Sequence, residues 1–118
     1  MTVAEKRKWK EWAEELRQQM MRSLTPEITK SVVEIRSEIN STKTEDTIKS
    51  AKFWNACQSG KGPNDHLAKA GFDIEFDCDE AKKVHVVTLR LNDKWMPILN
   101  SVIERNNLRD KSTPADEG

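Results

Sequence analysis

The stretch Leu67-Ala68-Lys69-Ala70-Gly71-Phe72-Asp73-Ile74-Glu75-Phe76-Asp77-Cys78-Asp79, followed after a charged link by Val84-His85-Val86-Val87-Thr88-Leu89-Arg90-Leu91, decides the fold. Phe72, Ile74, Phe76 and Cys78 are spaced by two and fall on one face of a strand. Asp73, Glu75, Asp77 and Asp79 then share the other face, and one apolar face opposite a wet one marks an antiparallel sheet. In the second run Val84, Val86 and Thr88 share one face, while His85, Val87, Leu89 and Leu91 share the other. Both carry apolar groups, so alternation alone leaves open which face is buried. The link Glu80-Ala81-Lys82-Lys83 suits a hairpin loop longer than two residues. Gly71 stands where a positive φ would end a short helix, and a last helix is expected to open at Asn92 or Asp93. An isolated hairpin is marginal in water, so this one needs helices packed against it.

Outside the hairpin the apolar spacing is helical. Thr2-Val3-Ala4-Glu5 has the form of a capping box. Trp9, Trp12, Ala13, Leu16 and Met20 then make one stripe as far as Leu24. Thr25-Pro26 reads as a second helix start, with Ile28, Val32, Ile35 and Ile39 on its buried side and polar residues 40–44 ending it. A third helix is expected from Thr44, carrying Ile48, Ala51, Phe53, Trp54, Ala56 and Cys57. Gly60 to Pro63 reads as a loop, and Asn64 or Asp65 as the cap of a short helix ended by Gly71. Trp95, Leu99, Val102 and Ile103 form the last stripe, with Pro97 in its first turn. The chain therefore divides into an N-terminal amphipathic helix (1–23), a helical domain with a hairpin (24–108) and a disordered tail (109–118). The expected class is α+β: mainly helical, a single domain, with a two-stranded antiparallel β-hairpin packed on helices.

Twenty basic and twenty acidic residues cancel, so no global positive field exists to hold nucleic acid. No apolar run is long enough to span a bilayer, and no membrane association is expected. Cys57 and Cys78 suit a reducing cytoplasm or nucleus as free thiols. Asn40-Ser41-Thr42 matches a glycosylation sequon that matters only on a secretory route.

The candidate sites are weighed against their structural readings. The carboxylates of Asp73, Glu75, Asp77 and Asp79 suit hard cations by chemistry, but alternate strand residues diverge, and a solvated face is the stronger reading. Lys6, Arg7, Lys8 and Lys10 with Trp9 and Trp12 could hold nucleic acid by charge and stacking. Both tryptophans also lie on the stripe with Leu16 and Met20, which favours burial in a core or against a partner helix. His66 and His85 lack neighbours at metal-ligand spacing. Gly60-Lys61-Gly62 lacks the frame of a phosphate loop, and no nucleophile elbow is present. No metal, no cofactor and no enzymatic activity are expected.

Several short motifs resemble the PUB domain, a module of peptide N-glycanase and ubiquitin-pathway adaptors. They are Leu24-Thr25-Pro26-Glu27 leading into Val32, Val33, Ile35, Ile39 and Asn40; Ile48 with Trp54; and Leu67 to Phe72 ending Gly-Phe. The resemblance covers about residues 24–108. The family's Lys-Tyr-Arg triplet is absent, since the chain has no Tyr, and Asn55 follows Trp54 where the family places Asn ahead of its aromatic residue. The resemblance implies a non-enzymatic, peptide-binding adaptor whose partner is the C-terminal tail of an AAA ATPase of the valosin-containing-protein type. It implies a groove formed by Ile48, Lys49, Lys52, Trp54, Asn55, Gly71 and Phe72. Lys49 and Lys52 would face an acidic tail and Trp54 would receive an apolar side chain. Two other readings stand beside it: nucleic-acid binding through the first helix, and homodimerisation through its Trp stripe.

Overall fold

Ile28, Thr29, Val32 and Val33 bring β-branched residues close together just after Pro26, and this segment departs most from the expected helix. The computed structural model describes residues 2–59 and 65–112. Helix α1 (Val3–Arg22) comes first, capped by Thr2, whose hydroxyl accepts from the Glu5 N–H at 3.1 Å. The chain then turns through Leu24 at φ 55° into strand β1 (Glu27–Ser31), not into a helix. Helix α2 (Val32–Ile39) starts five residues later than Glu27. Its cap is Ser31, whose hydroxyl accepts from Glu34 N at 3.0 Å, and it ends on Asn40 in the left-handed region. Ser31-Val32-Val33-Glu34 is itself a capping-box sequence, and it outweighs Thr25-Pro26 as a start signal. Ser31→Ala is expected to cost about 1 kcal/mol in denaturant unfolding; a loss below about 0.3 kcal/mol would show that the cap does not set the helix start.

The third predicted helix is two helices, α3 (Glu45–Ile48) and α4 (Ala51–Gln58). The break at Lys49 and Ser50 turns backbone groups toward the sheet. Lys49 O accepts from Val84 N at 2.6 Å, and Ser50 pairs with Lys83 as an isolated bridge. Helix α5 (His66–Ala70) ends on Gly71 at φ 112°, as its position suggested. The 60–63 loop and Asn64 lie outside the described residues. Strands β2 (Phe72–Cys78) and β3 (Val84–Leu91) form the expected hairpin, and helix α6 (Met96–Ser112) follows a turn at Asn92. Helix α6 extends past 109, where a disordered tail was expected; residues 113–118 lie outside the described part.

The sheet has three strands in the order β1-β3-β2, all antiparallel, so the two-stranded expectation is one strand short. Ile28 sits opposite Leu89 and Lys30 opposite Val87, while Ile74 and Phe76 meet the same two residues from the other side. Phe72, Ile74, Val87, Leu89 and Leu91 are buried beneath the helices, and Phe76 is half-buried. Asp73, Glu75, Asp77 and Asp79 are exposed, as alternation predicted. The ambiguity of the third strand has a physical cause. Phe76 faces Val87 but Cys78 faces Val84, so three steps on β3 match two on β2. This bulge brings Val84 inward together with Val87 and leaves Val86 outside.

The core lies between the sheet and α1, α2, α4 and α5. Trp9, Phe53 and Trp54 pack edge to face with centroids 5.3–5.8 Å apart, and Trp12 joins Trp9 at 6.3 Å. Buried Trp54 needs a partner for its indole N–H, and the Ile48 carbonyl accepts it at 2.6 Å. Burying each such side chain contributes roughly 2–3 kcal/mol. Residues 1–23 are therefore not a separate unit: Trp9, Ala13, Leu16 and Met20 belong to this core. The protein is α+β and mainly helical, and no helix among the described residues is long and apolar enough to cross a membrane.

Candidate functional site

The break between α3 and α4 and the hairpin turn together form a surface groove. Asp79 organises the turn: its Oδ1 accepts from Ala81 N and Lys83 N at 2.9 Å, and its Oδ2 contacts His85 Nε2 at 2.9 Å. The His85 contact, then the Lys83 N–H, holds the Asp79 carboxyl below the usual range. Lys82 takes φ 59° at the tip, and Lys83 returns beside Ser50. The resulting groove, ≈ 540 Å³, is lined by Lys43, Asp46, Lys52, Phe53, Ala56 and Lys83 among others.

Its chemistry is cationic around an apolar floor. Phe53 is 7% exposed, and Lys43 Nζ lies 5.4 Å from its ring centroid, within cation–π range. Lys83 Nζ stands 4.0 Å from Asp46 Oδ1. Among the described residues that line the groove, three lysines thus stand with one aspartate.

A buried carboxylate on the far side fixes Lys43. Glu5, 2% exposed, accepts from Trp9 Nε1 at 2.9 Å, Thr42 N at 3.0 Å and Thr42 Oγ1 at 3.1 Å, and from Ser41 Oγ. Burial pushes this carboxyl up, but the bonds from Ser41, the Thr42 backbone and Trp9 outweigh it and hold the pKa at about 2. Arg36 Nε donates to Lys43 O at 2.7 Å. The 40–43 segment is thereby pinned with the Lys43 side chain against Phe53.

The residues expected for peptide binding separate into three groups. Lys52 lines the groove. Ile48, Trp54, Gly71 and Phe72 are buried in the core; Trp54, 0% exposed, has no surface with which to receive a side chain, and its neighbour Phe53 takes the floor position. Lys49 is half-buried with Nζ 3.8 Å from Glu45, and Asn55 faces a different hollow beside Gln58 and Phe76. Lys43, Asp46 and Lys83 were missed. Lys83 reaches the groove only through the Ser50 bridge, which no local pattern reveals.

The first helix does not present the expected nucleic-acid surface. Trp9 is 0% exposed and has no face to offer a base, and half-buried Trp12 is held by its indole N–H, which donates to Glu38 Oε1 at 2.9 Å. Lys8 donates to Asn40 O at 2.9 Å, Arg7 and Lys10 are exposed, and Lys6 is half-buried. Leu16 and Met20 of the stripe are likewise buried within the protomer and are not presented to a second copy. Among the described residues no three His, Cys, Asp or Glu side chains converge as metal ligands. Burial pushes the Cys57 thiol up to about 12, which keeps it protonated and inert.

Against this geometry, no family model, curated protein or solved structure matches the chain.

Proposed function

We propose that this protein is a non-enzymatic interaction module that docks a short acidic peptide or C-terminal tail in the groove between α3, α4 and the hairpin turn. The observation that carries the reading is the triad Lys43, Lys52 and Lys83 around Phe53, with Asp46 the one carboxylate among the described residues that line the groove. Carboxylates of a bound segment would meet the ammonium groups, and one apolar side chain would cover the Phe53 edge and Ala56. The tail of an AAA ATPase of the valosin-containing-protein type, implied by the PUB resemblance, has the acidic character this groove accepts. That partner would make the protein an adaptor in the ubiquitin pathway, working in the cytoplasm or nucleus.

An NMR titration with a synthetic acidic C-terminal peptide tests the proposal. Amide shifts are expected at Lys43, Lys52, Phe53 and Lys83, weakening as salt rises. Lys52→Glu with Lys83→Glu, both on the surface, should weaken binding about tenfold or more, since each reversal replaces an attraction with a repulsion. Saturating peptide that leaves these four amides unmoved would overturn the reading.

A further inference from the structure

A second surface lies across α1 from this groove, and its chemistry is independent of it. Lys10, Glu14, Arg17 and Met21 are spaced by four, three and four, so they share one face of α1. With Arg22 the strip spans about 18 Å, at 1.5 Å rise per residue. Two hollows flank Arg17. One, ≈ 510 Å³, is lined by Arg17, Gln18, Met21, Arg22 and Trp95; the other, ≈ 310 Å³, includes Lys10, Glu14 and Lys69.

Arg17 is held in place before any partner arrives. Its guanidinium lies 4.2 Å above the Trp95 ring, and its Nη1 donates to Ala70 O at 2.6 Å. The other charges are unequally matched. Lys69 is paired with buried Asp65 at 3.2 Å. Among the described residues, no carboxylate lies within ion-pair distance of Lys10, Arg17 or Arg22. The strip therefore offers three unneutralised cations against Glu14, next to half-buried Trp95 and Met21. Arg, Trp and Met are the residue types that interface centres favour.

The geometry points to a docking surface for a second acidic protein segment, one that brings an apolar side chain to Trp95 and Met21 and carboxylates to Arg17, Arg22 and Lys10. Complementary charge selects this occupant. Single-stranded nucleic acid is the poorer fit, because base stacking needs an open ring face. Arg17 already occupies one face of Trp95, and the pyrrole atoms Cδ1 and Nε1 lie against Gly71, so what is left of the ring suits a single aliphatic side chain rather than a stacked base.

The test is titration of the full chain with a twelve-residue Asp/Glu-rich peptide carrying a single Leu, read at the Trp95 indole N–H. That signal is expected to shift with saturation. Lys10→Glu with Arg22→Glu, both exposed, should raise Kd about tenfold or more, while Lys52→Glu with Lys83→Glu should leave the Trp95 shift intact. This last arm separates the surface from the α3–α4 groove, so either can fail alone. Four results would each overturn the inference: a Trp95 signal unmoved at millimolar peptide; equal affinity in the Lys10/Arg22 variant; tighter binding of oligo-dT than of the peptide; or Trp95 shifts that follow protein concentration without peptide, which would mark self-association.

Discussion

Replacing Glu5 by alanine is expected to lower the unfolding free energy by about 3 kcal/mol or more. A carboxyl held near pKa 2 against an ordinary 4.5 contributes about 1.4 kcal/mol per unit of difference. Alanine would also leave the buried Trp9 indole N–H without its acceptor, and would take the acceptor of the partly buried Thr42 N–H. The sign of the pH dependence follows from the folded value being the lower one. The contribution is complete above the unfolded pKa near 4.5 and is lost as pH falls through the folded value near 2. Acid unfolding of the native protein should therefore steepen between those two values, and Glu5→Gln should flatten that part of the curve. Glutamine keeps a carbonyl for Trp9 or Thr42 but places N–H against one donor, so its loss at neutral pH should lie between zero and that of alanine. Urea unfolding followed from pH 2.5 to 7 measures both effects. A loss under 1 kcal/mol for Glu5→Ala at pH 7 would mean that water replaces the carboxylate cheaply. The substitution also bears on the groove, because Glu5 holds the segment that sets Lys43 on Phe53. Peptide shifts at Lys43 should shrink in Glu5→Ala even where the domain remains folded.

The Glu5 cluster also shows where sequence reading reaches its limit. Thr2 and Glu5 announce a capping box, and the Thr2 half of it forms. The Glu5 side chain does not return to Thr2; it crosses to Ser41 and Thr42, more than thirty residues away. Local pattern gave the helix and could not give the tertiary partner. The same division runs through the sheet. Period-two alternation of Phe72, Ile74 and Phe76 was legible because that face is buried at Phe72 and Ile74, though burial fades at half-buried Phe76 and Cys78, placed on the same face by alternation, is exposed. Strand β1 was hidden because Ile28 also falls in step with Val32, Ile35 and Ile39 at helical spacing, while five residues are too few for alternation to speak clearly. What decides it is the pairing with β3, including the Thr29–Thr88 hydroxyl contact at 3.0 Å. For the groove, the third-helix region and Lys52 were legible as cationic and amphipathic. Phe53 and Trp54 are adjacent, however, and helical phase alone did not say which ring would underlie the surface and which would fill the core.

Gly71→Ala is expected to destabilise the domain by about 3–5 kcal/mol, for two separable reasons. At φ 112° and ψ 24° the backbone lies where an L side chain is strained by roughly 1–3 kcal/mol. A Cβ at this position would also run into Trp95, standing 2.5 Å from Nε1 and closer still to Cδ1. Movement of the indole toward Arg17 is opposed, because the guanidinium lies over its ring and is tied to Ala70. Relieving the overlap means shifting Arg17 or lifting the start of α6, where Leu99 is fully buried. Such overpacking adds about 1–3 kcal/mol. The two causes separate in a double-mutant cycle with Trp95→Ala. Without the ring, the added methyl meets only backbone strain, so Gly71→Ala should cost about 2 kcal/mol less in the Trp95→Ala background than in the native one. Equal losses in both backgrounds would assign the whole effect to the left-handed backbone and show that the indole yields freely. A coupling of the expected size would establish that Gly71 does two jobs: it ends α5 and leaves the space in which Trp95 supports Arg17.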